Sequence, residues 1–479
     1  MRGLTQRAPR RTGPKQSMFA ALATPNYRLW VMGGLVSNIG TWMQRVAQDW
    51  LVLTVLTDHS GTAAGITTGL QFLPMLLLGP YAGLIADRHN KLHILRITQA
   101  ASGVLALALG LLVVTNTAEL WHVYGLALAL GVASAFDMPA RQSFVSEVVT
   151  ADLVPNAVAL NSASFNTARL LGPGLAGLLI AWLGTGPVFL LNAASFAAVI
   201  VALGRMRADQ LVPVARPPRG KRQITEALRY VKRHPDLVLI LVLAALIGTF
   251  GLNFQITNVL MSTTVFRLGP EGYGFLGTVM AVGTLGAALL AARRTGPRMP
   301  YVVGSAIGFG AFSVLAALMP GYWSYAAVLV LVGLTSLTFL NSCNVSIQLS
   351  VEPQYRGRVL ALYMCVMMGG TPIGAPIVGW VGEMVGARWA VAAGGIVALA
   401  AGLGALLVLL RRRGAEQAAL PDAAEAPHTV EAQATVLTQA ALAARDAEPD
   451  AELDAVQVTE PETARTQDAG QGSARAVHP

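Results

Sequence analysis

The first long apolar run of the sequence carries a set of polar side chains that fall on one side of a helix. At about 100° per residue they lie within a single arc, which includes an acid, Asp49, and a base, Arg45. The other members of this arc are Ser37, Asn38, Thr41, Gln44 and Gln48. Such an arc is costly in lipid unless it faces a cavity or another helix. The pattern therefore predicts either a substrate cavity lined by Asn38, Thr41, Gln44 and Gln48, or polar contacts between helices.

Asp49 is the best candidate in the sequence for binding and releasing a proton inside a membrane. A carboxyl group in such a position can take up a proton in one conformation and lose it in another, and Arg45, one helical turn earlier, would influence that exchange. The alternative is a permanent ion pair between Asp49 and Arg45 that only stabilises the helix. Asp137, near the end of the fourth apolar run, is the next candidate, and Glu383 is a further acid near the end of the eleventh.

The runs that position these residues are long enough to cross a membrane. Hydrophobic residues make up 54% of the chain and charged residues only 12%, unlike an ordinary soluble domain. A spanning helix takes about 20 mostly apolar residues, and lipid forces such runs to be helical. Twelve spans are predicted, at residues 28–56, 62–85, 92–115, 118–138, 155–183, 185–206, 237–264, 272–292, 300–319, 323–344, 357–384 and 388–410.

The predicted spans divide into two sets of six, which gives an all-α membrane protein built from two pseudo-symmetric six-helix bundles. The bundles are expected at 28–206 and 237–410, with a linker at 207–236 between them. Both the fifth and the eleventh runs contain a cluster of Gly and Pro in mid-span, as in transporters built from repeats. Residues 1–27 form a basic N-terminus, and residues 411–479, which lack Phe, Trp and Tyr, are expected to be a disordered acidic tail.

The distribution of Lys and Arg predicts the orientation. These residues concentrate in the N-terminus and in the loops that follow even-numbered runs, whereas the opposite side carries only Arg267 and Arg388. Positive charge near helix ends stays in the cytoplasm. We therefore expect both termini in the cytoplasm and the chain in the plasma membrane. The net charge of +9 is explained by this topology and gives no reason to expect a nucleic-acid partner.

A nine-residue motif lies between the second and third runs, with the sequence Gly83-Leu84-Ile85-Ala86-Asp87-Arg88-His89-Asn90-Lys91. It resembles the signature loop of the major facilitator superfamily, with Ile85 and Asn90 as the two departures. Asn90 stands where a Gly is usual and tolerates left-handed backbone angles. The resemblance implies that Asp87 faces the N-terminus of the eleventh helix and closes a gate there. The residues expected in this gate are Gly83, Asp87, Arg88, Lys91, Arg356 and Arg358.

A second motif, in the fifth run, is Arg169-Leu170-Leu171-Gly172-Pro173-Gly174-Leu175-Ala176-Gly177. It resembles the fifth-helix antiporter motif of drug exporters, with Ala176 in place of a Gly. Arg169, Gly172, Pro173 and Gly177 carry the resemblance. The alternative is a helix kink without directional meaning, since Pro removes a backbone donor from a helix.

Three shorter segments, at residues 37–45, 136–142 and 355–359, resemble the macrolide-exporter and enterobactin-exporter branch of the same superfamily. The resemblance implies a proton-driven exporter of a small organic molecule such as a drug, an antibiotic or a siderophore-like compound. It also implies that helices one, four, seven and ten line the substrate cavity. The polar residues expected there from the seventh and tenth runs are Asn253, Thr257, Thr338 and Asn341.

Other classes of function find little support in the sequence. It contains neither the G-x-x-x-x-G-K-[ST] phosphate loop nor the H-E-x-x-H zinc motif, and its His residues are isolated. We therefore expect no enzyme activity, no cofactor and no metal, and a monomer whose partners are a small-molecule substrate, protons and the lipid bilayer. Uptake or facilitated exchange of a metabolite by the same fold is the alternative. A membrane enzyme or sensor is a more distant one.

Overall fold

The computed structural model describes residues 17–212, 223–291, 299–419 and 438–439. The first long helix, α1 (Pro25–Trp50), begins with a Pro whose missing N–H is not needed at that position. It continues as a π-helical segment through Leu51–Leu56. The next helices are α2 (Gly61–Arg88), α3 (Lys91–Val114), α4 (Leu120–Val148), α5 (Val154–Leu183) and α6 (Thr185–Arg205).

The second half begins with the amphipathic helix α7 (Gln223–Arg233), which lies in the predicted linker. The seventh span is broken: α8 (Pro235–Leu246) and α9 (Phe254–Leu260) are each followed by a π-helical segment, Ile247–Gly251 and Met261–Val265. The remaining helices are α10 (Pro270–Ala291), α11 (Met299–Leu318), α12 (Tyr322–Ser350), α13 (Pro353–Gly369), α14 (Thr371–Met384) and α15 (Ala387–Ala419). The eleventh span consists of α13 and α14.

Ten helical stretches in the described residues are long and apolar enough to cross a membrane. The helices α1 and α5, which have 26 and 30 residues, are also long enough but carry more polar side chains. Adding them gives twelve crossings, in agreement with the predicted number. The start of α1 and the apolar end of α15 then lie on one side of the membrane, which we call the terminal side. The opposite side is called the distal side.

Two seams join the halves of the bundle. One is formed by α2 and α14 and the other by α5 and α10. On the distal side both seams are glycine contacts without room for a side chain. A Cβ added to Gly177 of α5 would lie 2.6 Å from the carbonyl oxygen of Pro270, and one added to Gly61 of α2 would collide with the carbonyl of Gly379. Small residues let helix backbones approach this closely.

At the terminal side, the glycines of α2 and α13 make no such contacts. A Cβ added to Gly79 or Gly83, in the last turns of α2, would meet no atom within 4 Å, and the same holds for Gly357 at the start of α13. The glycine contacts of this seam, and most of the packing of α2 against the α13–α14 pair, therefore lie at its distal end. This difference along one pair of helices is the main conformational feature of the fold.

Some details differ from the predictions. Residues 83–88 of the signature motif are the last turns of α2, so only His89 and Asn90 form a connection. Asn90 has a φ of −64° and its side chain accepts a hydrogen bond from the backbone N–H of His93, so it caps α3 and does not adopt a left-handed turn. The last helix continues past residue 410 to Ala419. The rest of the predicted tail, apart from 438–439, lies outside the described residues, as do residues 1–16.

Candidate functional site

Asp49 lies in the distal part of α1 and bonds to the other half of the molecule. Its Oδ2 atom accepts a hydrogen bond of 2.9 Å from the hydroxyl of Tyr273 in the first turn of α10. Both side chains are buried, at 4% and 3% exposure. Burial excludes water as a competing partner, so this bond directly links the two halves where their distal seam is closed.

Arg45 does not pair with Asp49. The two side chains form no ion pair within the described structure, and the Nε atom of Arg45 is buried without a hydrogen-bond partner. The permanent Arg45–Asp49 ion pair that the sequence left open is therefore absent from this conformation. The guanidinium of Arg45 instead lies over the ring of Trp42, 4.9 Å from its centroid.

Arg169, from the predicted antiporter motif in α5, approaches the same aromatic ring. Its guanidinium carbon lies 5.8 Å from the centroid of Trp42. Gly172, one turn after Arg169, lets the two helices pack closely. A Cβ added to Gly172 would lie only 2.5 Å from the Cβ of Trp42. Two arginines from different helices thus share one tryptophan near the middle of the first bundle. In the sequence, Arg45 and Arg169 belong to two separate motifs.

Part of the polar arc of α1 is used for contacts between helices. The side-chain oxygen of Gln44 accepts a hydrogen bond from the amide of Asn192 in α6. The amide of Gln48 points to the side-chain oxygen of Gln71 in α2, at 3.4 Å. Gln44 and Gln48 are therefore tied to their own bundle, whereas Asn38 and Thr41 are half-buried and form no side-chain hydrogen bond among the described residues.

The cavity candidates of the second half bond to their own helices. Asn253, at the break between α8 and α9, donates to the carbonyl of Thr249 at 2.7 Å, and Thr257 bonds in turn to the carbonyl of Asn253. Thr338 of α12 donates to the carbonyl of Leu334. Asn341 is half-buried on the same helix. The side chains of Asn253, Thr257 and Thr338 act as donors in these bonds, so their oxygens can still accept hydrogen bonds.

Asp137 is held by a set of donors within the first bundle. Its carboxylate accepts hydrogen bonds from Thr98 at 2.7 Å and Gln99 at 2.8 Å, both on α3. It also forms an ion pair with Arg141 one turn later in α4, at 2.8 Å. The guanidinium of Arg141 lies over the ring of Trp30 in α1. Asp137 therefore ties α4 to α3 directly and, through Arg141, to α1.

The predicted terminal gate is not assembled in this conformation. Asp87 and Arg88 are exposed, and the structure does not bring Asp87 into contact with Arg356 or Arg358. Arg358 forms an ion pair with Glu226 of the linker helix α7. Lys91 likewise pairs with Glu147 at the end of α4, within its own bundle.

A carboxylate gate at the distal end of the same seam is assembled instead. Glu383, at the end of α14, accepts hydrogen bonds of 2.9 Å from the hydroxyl of Ser60 and the backbone N–H of Thr62. These are the N-terminal groups of α2, where a helix favours negative charge. Glu383 was noted in the sequence only as an acid near a span end. Its partners, Ser60 and Thr62, could not be inferred from the sequence, because they lie far from Glu383 in the chain.

The antiporter-like motif of α5 forms the second seam. Pro173 packs against Gly277 of α10, where an added Cβ would lie 2.8 Å from the Pro173 side chain. The carbonyl of Leu170 accepts a hydrogen bond of 3.1 Å from Thr278. The small residues of this motif therefore form the contact with α10. Among the described residues no cluster of three or more His, Cys, Asp or Glu could hold a metal ion.

Comparison with known proteins gives one family and several relatives. A model of the family described as transmembrane secretion effector matches residues 16–436. The staphyloferrin A transporter of Staphylococcus aureus is 26% identical over 346 residues, which cover 70% of this chain and 84% of that protein. The multidrug efflux pump Tap of Mycolicibacterium fortuitum is 25% identical over 372 residues, which cover 74% and 89%.

Solved structures share the fold at low sequence identity. A bacterial homologue of the human lysosomal transporter Spinster, in an inward-facing and unoccupied conformation, matches with a TM-score of 0.61 and 15% identity over 80% of this chain and 95% of that one. The POT family transporter PepTSo matches with a TM-score of 0.66 and 11% identity over 81% and 98%.

Proposed function

Because the chain belongs to the transmembrane secretion effector family of the major facilitator superfamily, we propose that it exports a small organic molecule across the plasma membrane by alternating access. It is a multi-pass membrane transporter and not an enzyme. Relatives named as a multidrug efflux pump and a staphyloferrin A transporter support export of a drug-like or siderophore-like compound. Both bundles lie in one chain, so a monomer is sufficient for transport.

The observation that carries the alternating-access part of this proposal is the asymmetry of the α2–α14 seam, whereas export is supported by the names of the relatives. The seam is sealed by glycine contacts at the distal end, whereas Gly79 and Gly83 are clear of neighbours at the terminal end. With the terminal side in the cytoplasm, as the positive-inside rule predicts, the structure corresponds to an inward-open state ready to receive cargo from the cytoplasm. Rocking of the two bundles about this site would open the distal side and release the cargo.

The two carboxylates of this seam support the same movement. Glu383 of α14 caps the N-terminus of α2 on the closed side, and Asp87 at the end of α2 is free of the N-terminus of α13 on the open side. In the outward-open state we expect the arrangement to be reversed, with Asp87 capping α13 and Glu383 released. Arg358 would then leave Glu226 and turn towards Asp87.

We assign proton coupling to Asp49. In the inward-open state its carboxylate accepts a hydrogen bond from Tyr273 and helps to keep the distal seam closed. Hydrogen bonds to a charged acceptor are about twice as strong as neutral ones, so protonation of Asp49 weakens this link. When the distal side opens, Asp49 becomes accessible to protons from outside. Return to the inward-open state, with release of the proton to the cytoplasm, restores the bond.

The direction of transport distinguishes export from the alternative, which is uptake or facilitated exchange of a metabolite. A strain lacking the gene and a strain overproducing the protein are compared for resistance to a compound library and for the compounds they accumulate. Hits are then tested with purified protein in liposomes carrying an imposed pH gradient. Export predicts uphill movement from the cytoplasmic face that stops when the gradient is abolished. Movement only down the solute's own gradient would contradict the proposal.

A further inference from the structure

We propose that the cargo carries an acidic group, which Arg45 and Arg169 bind beside Trp42. The inference rests on the proposed function and specifies its substrate class. Both guanidinium groups lie within 6 Å of the Trp42 centroid, at 4.9 and 5.8 Å, and their charges interact with each other. Neither forms a hydrogen bond or an ion pair with a described residue, and the Nε atom of Arg45 is buried without a partner.

The charges around this site do not balance. Asp49 is the only acid in α1 and α5, the two helices that supply the site. Its Oδ2 atom bonds to Tyr273 and it forms no ion pair with Arg45. Two guanidinium charges therefore face one carboxylate at mid-membrane depth, where an uncompensated charge is costly. The ring of Trp42 offsets only part of this cost, because a cation–π contact does not neutralise a charge.

An anionic ligand supplies the negative charge that the site lacks. A carboxylate or a similar planar acid accepts paired hydrogen bonds from guanidinium groups, and its apolar part could stack on Trp42 and on Phe165, which lies 6.1 Å from that ring. A cationic cargo would add to the positive charge and is excluded by the same argument. The bound anion brings the site, with Asp49 ionised, to zero net charge.

An acidic cargo is compatible with proton coupling at Asp49. The loaded site would move outward in its neutral form, with Asp49 ionised. The empty site would move inward with Asp49 protonated and both arginines charged. One turnover then carries negative charge out and positive charge in, and an inside-negative membrane potential drives the return of the empty site, which is the step that moves net charge.

The binding test uses three aromatic probes that differ only in charge: 2-naphthoate, 2-naphthamide and 2-naphthylmethylammonium. Their affinities for the purified full-length chain are measured from the shift of the thermal unfolding midpoint. We expect naphthoate to bind at least about tenfold more tightly than either other probe, and Arg45→Gln or Arg169→Gln to remove that preference. Arg205→Gln, at the exposed end of α6, is the matched control and should keep it.

The results separate this inference from the proposed function. Equal binding of the three probes, preference for the cation, or unchanged naphthoate affinity in both arginine variants would overturn the acidic-cargo site. If a solute from the resistance screen is still exported, the exporter function stands without it. If naphthoate binds through the two arginines but no solute is moved in liposomes, the binding site stands and the exporter function fails.

Discussion

The hydroxyl of Tyr273 donates a hydrogen bond to Asp49 across the boundary between the two halves of the protein. The two residues are 224 positions apart in the chain, and their atoms are 2.9 Å apart. Because α1 and α10 belong to different bundles, the bond must break when the distal side opens. In the proposed cycle, its strength contributes directly to the equilibrium between the inward-open and outward-open states.

Replacing Asp49 by Asn should uncouple transport from the proton gradient. The amide cannot bind a proton at physiological pH, but it keeps the size of the carboxyl and still accepts a hydrogen bond from Tyr273. We expect Asp49→Asn protein in liposomes to lose uphill export driven by a pH gradient by at least about tenfold, with substrate binding retained. Asp137→Asn is the comparison variant. Uphill export that persists in Asp49→Asn would place the coupling site elsewhere.

Replacing Tyr273 by Phe should favour the outward-open state. The change removes one hydroxyl and leaves the carboxyl of Asp49 without its donor, at a cost of about 1.5–3 kcal/mol to the closed distal seam. That corresponds to a shift of roughly ten- to a hundredfold in the population ratio of the two states. The distal opening is measured between spin labels at Thr117→Cys and Pro320→Cys, which we call the distal label pair.

The wild-type sequence at position 273 with the same labels is the reference for this measurement. A longer distance between the distal label pair in Tyr273→Phe is the expected result. A second pair at Thr150→Cys and Gln354→Cys, the terminal label pair, should become closer at the same time. An unchanged distribution at both pairs would show that the Asp49–Tyr273 bond has no influence on the equilibrium.

The carboxylates of the two gates should have opposite effects when neutralised. Glu383→Gln weakens the cap on the N-terminus of α2 in the inward-open state, so the distal label pair should move apart. Asp87→Asn removes a cap that we expect only in the outward-open state, so the protein should remain inward-open and transport should fall. Shifts in the same direction for both variants would be inconsistent with reciprocal gates.

The membrane fold could be predicted from the sequence because hydropathy and the length of the apolar runs together indicate which segments cross the bilayer. The polar arc of α1 was also visible, since a helix places residues such as Arg45 and Asp49 on one face. The break in the seventh span was not predicted, whereas the break in the eleventh falls at the Gly and Pro cluster noted in that run. The π-helical segment Ile247–Gly251 contains Thr249, whose carbonyl packs against Gly374 of α14, and a contact between segments this far apart in the chain leaves no signal in either run.

The hydrogen-bond partners of the site residues could not be predicted from the sequence, for the same physical reason. Gln44 was expected to line a cavity and is bonded to Asn192, and Tyr273 was an unremarked aromatic at the start of a span. A hydroxyl within an otherwise apolar run was the only available signal for Tyr273. Periodicity shows which face of a helix a residue occupies, but it does not show which helix will lie against that face.

Two glycines of α2 and α14 offer a matched pair of substitutions. A Cβ at Gly83 would meet no atom within 4 Å in this conformation, so Gly83→Ala should fold normally and could gain up to about 1 kcal/mol from helix propensity. Closure of the terminal side, however, would bring this turn of α2 against α13 as tightly as the distal turns now pack. The added methyl group should therefore prevent closure, trap the inward-open state and reduce transport, with an unfolding temperature no lower than that of the wild type.

Gly379→Ala should have the opposite conformational effect. Its Cβ would collide with the backbone carbonyl of Gly61, which cannot move aside as a flexible side chain could. The collision occurs only while the distal seam is closed, so the variant should destabilise the inward-open state and separate the distal label pair. Transport falls in both variants, but for opposite reasons, and the two label pairs distinguish them. If Gly83→Ala transports at the wild-type rate, the terminal end of α2 does not form a tight glycine contact in the outward-open state.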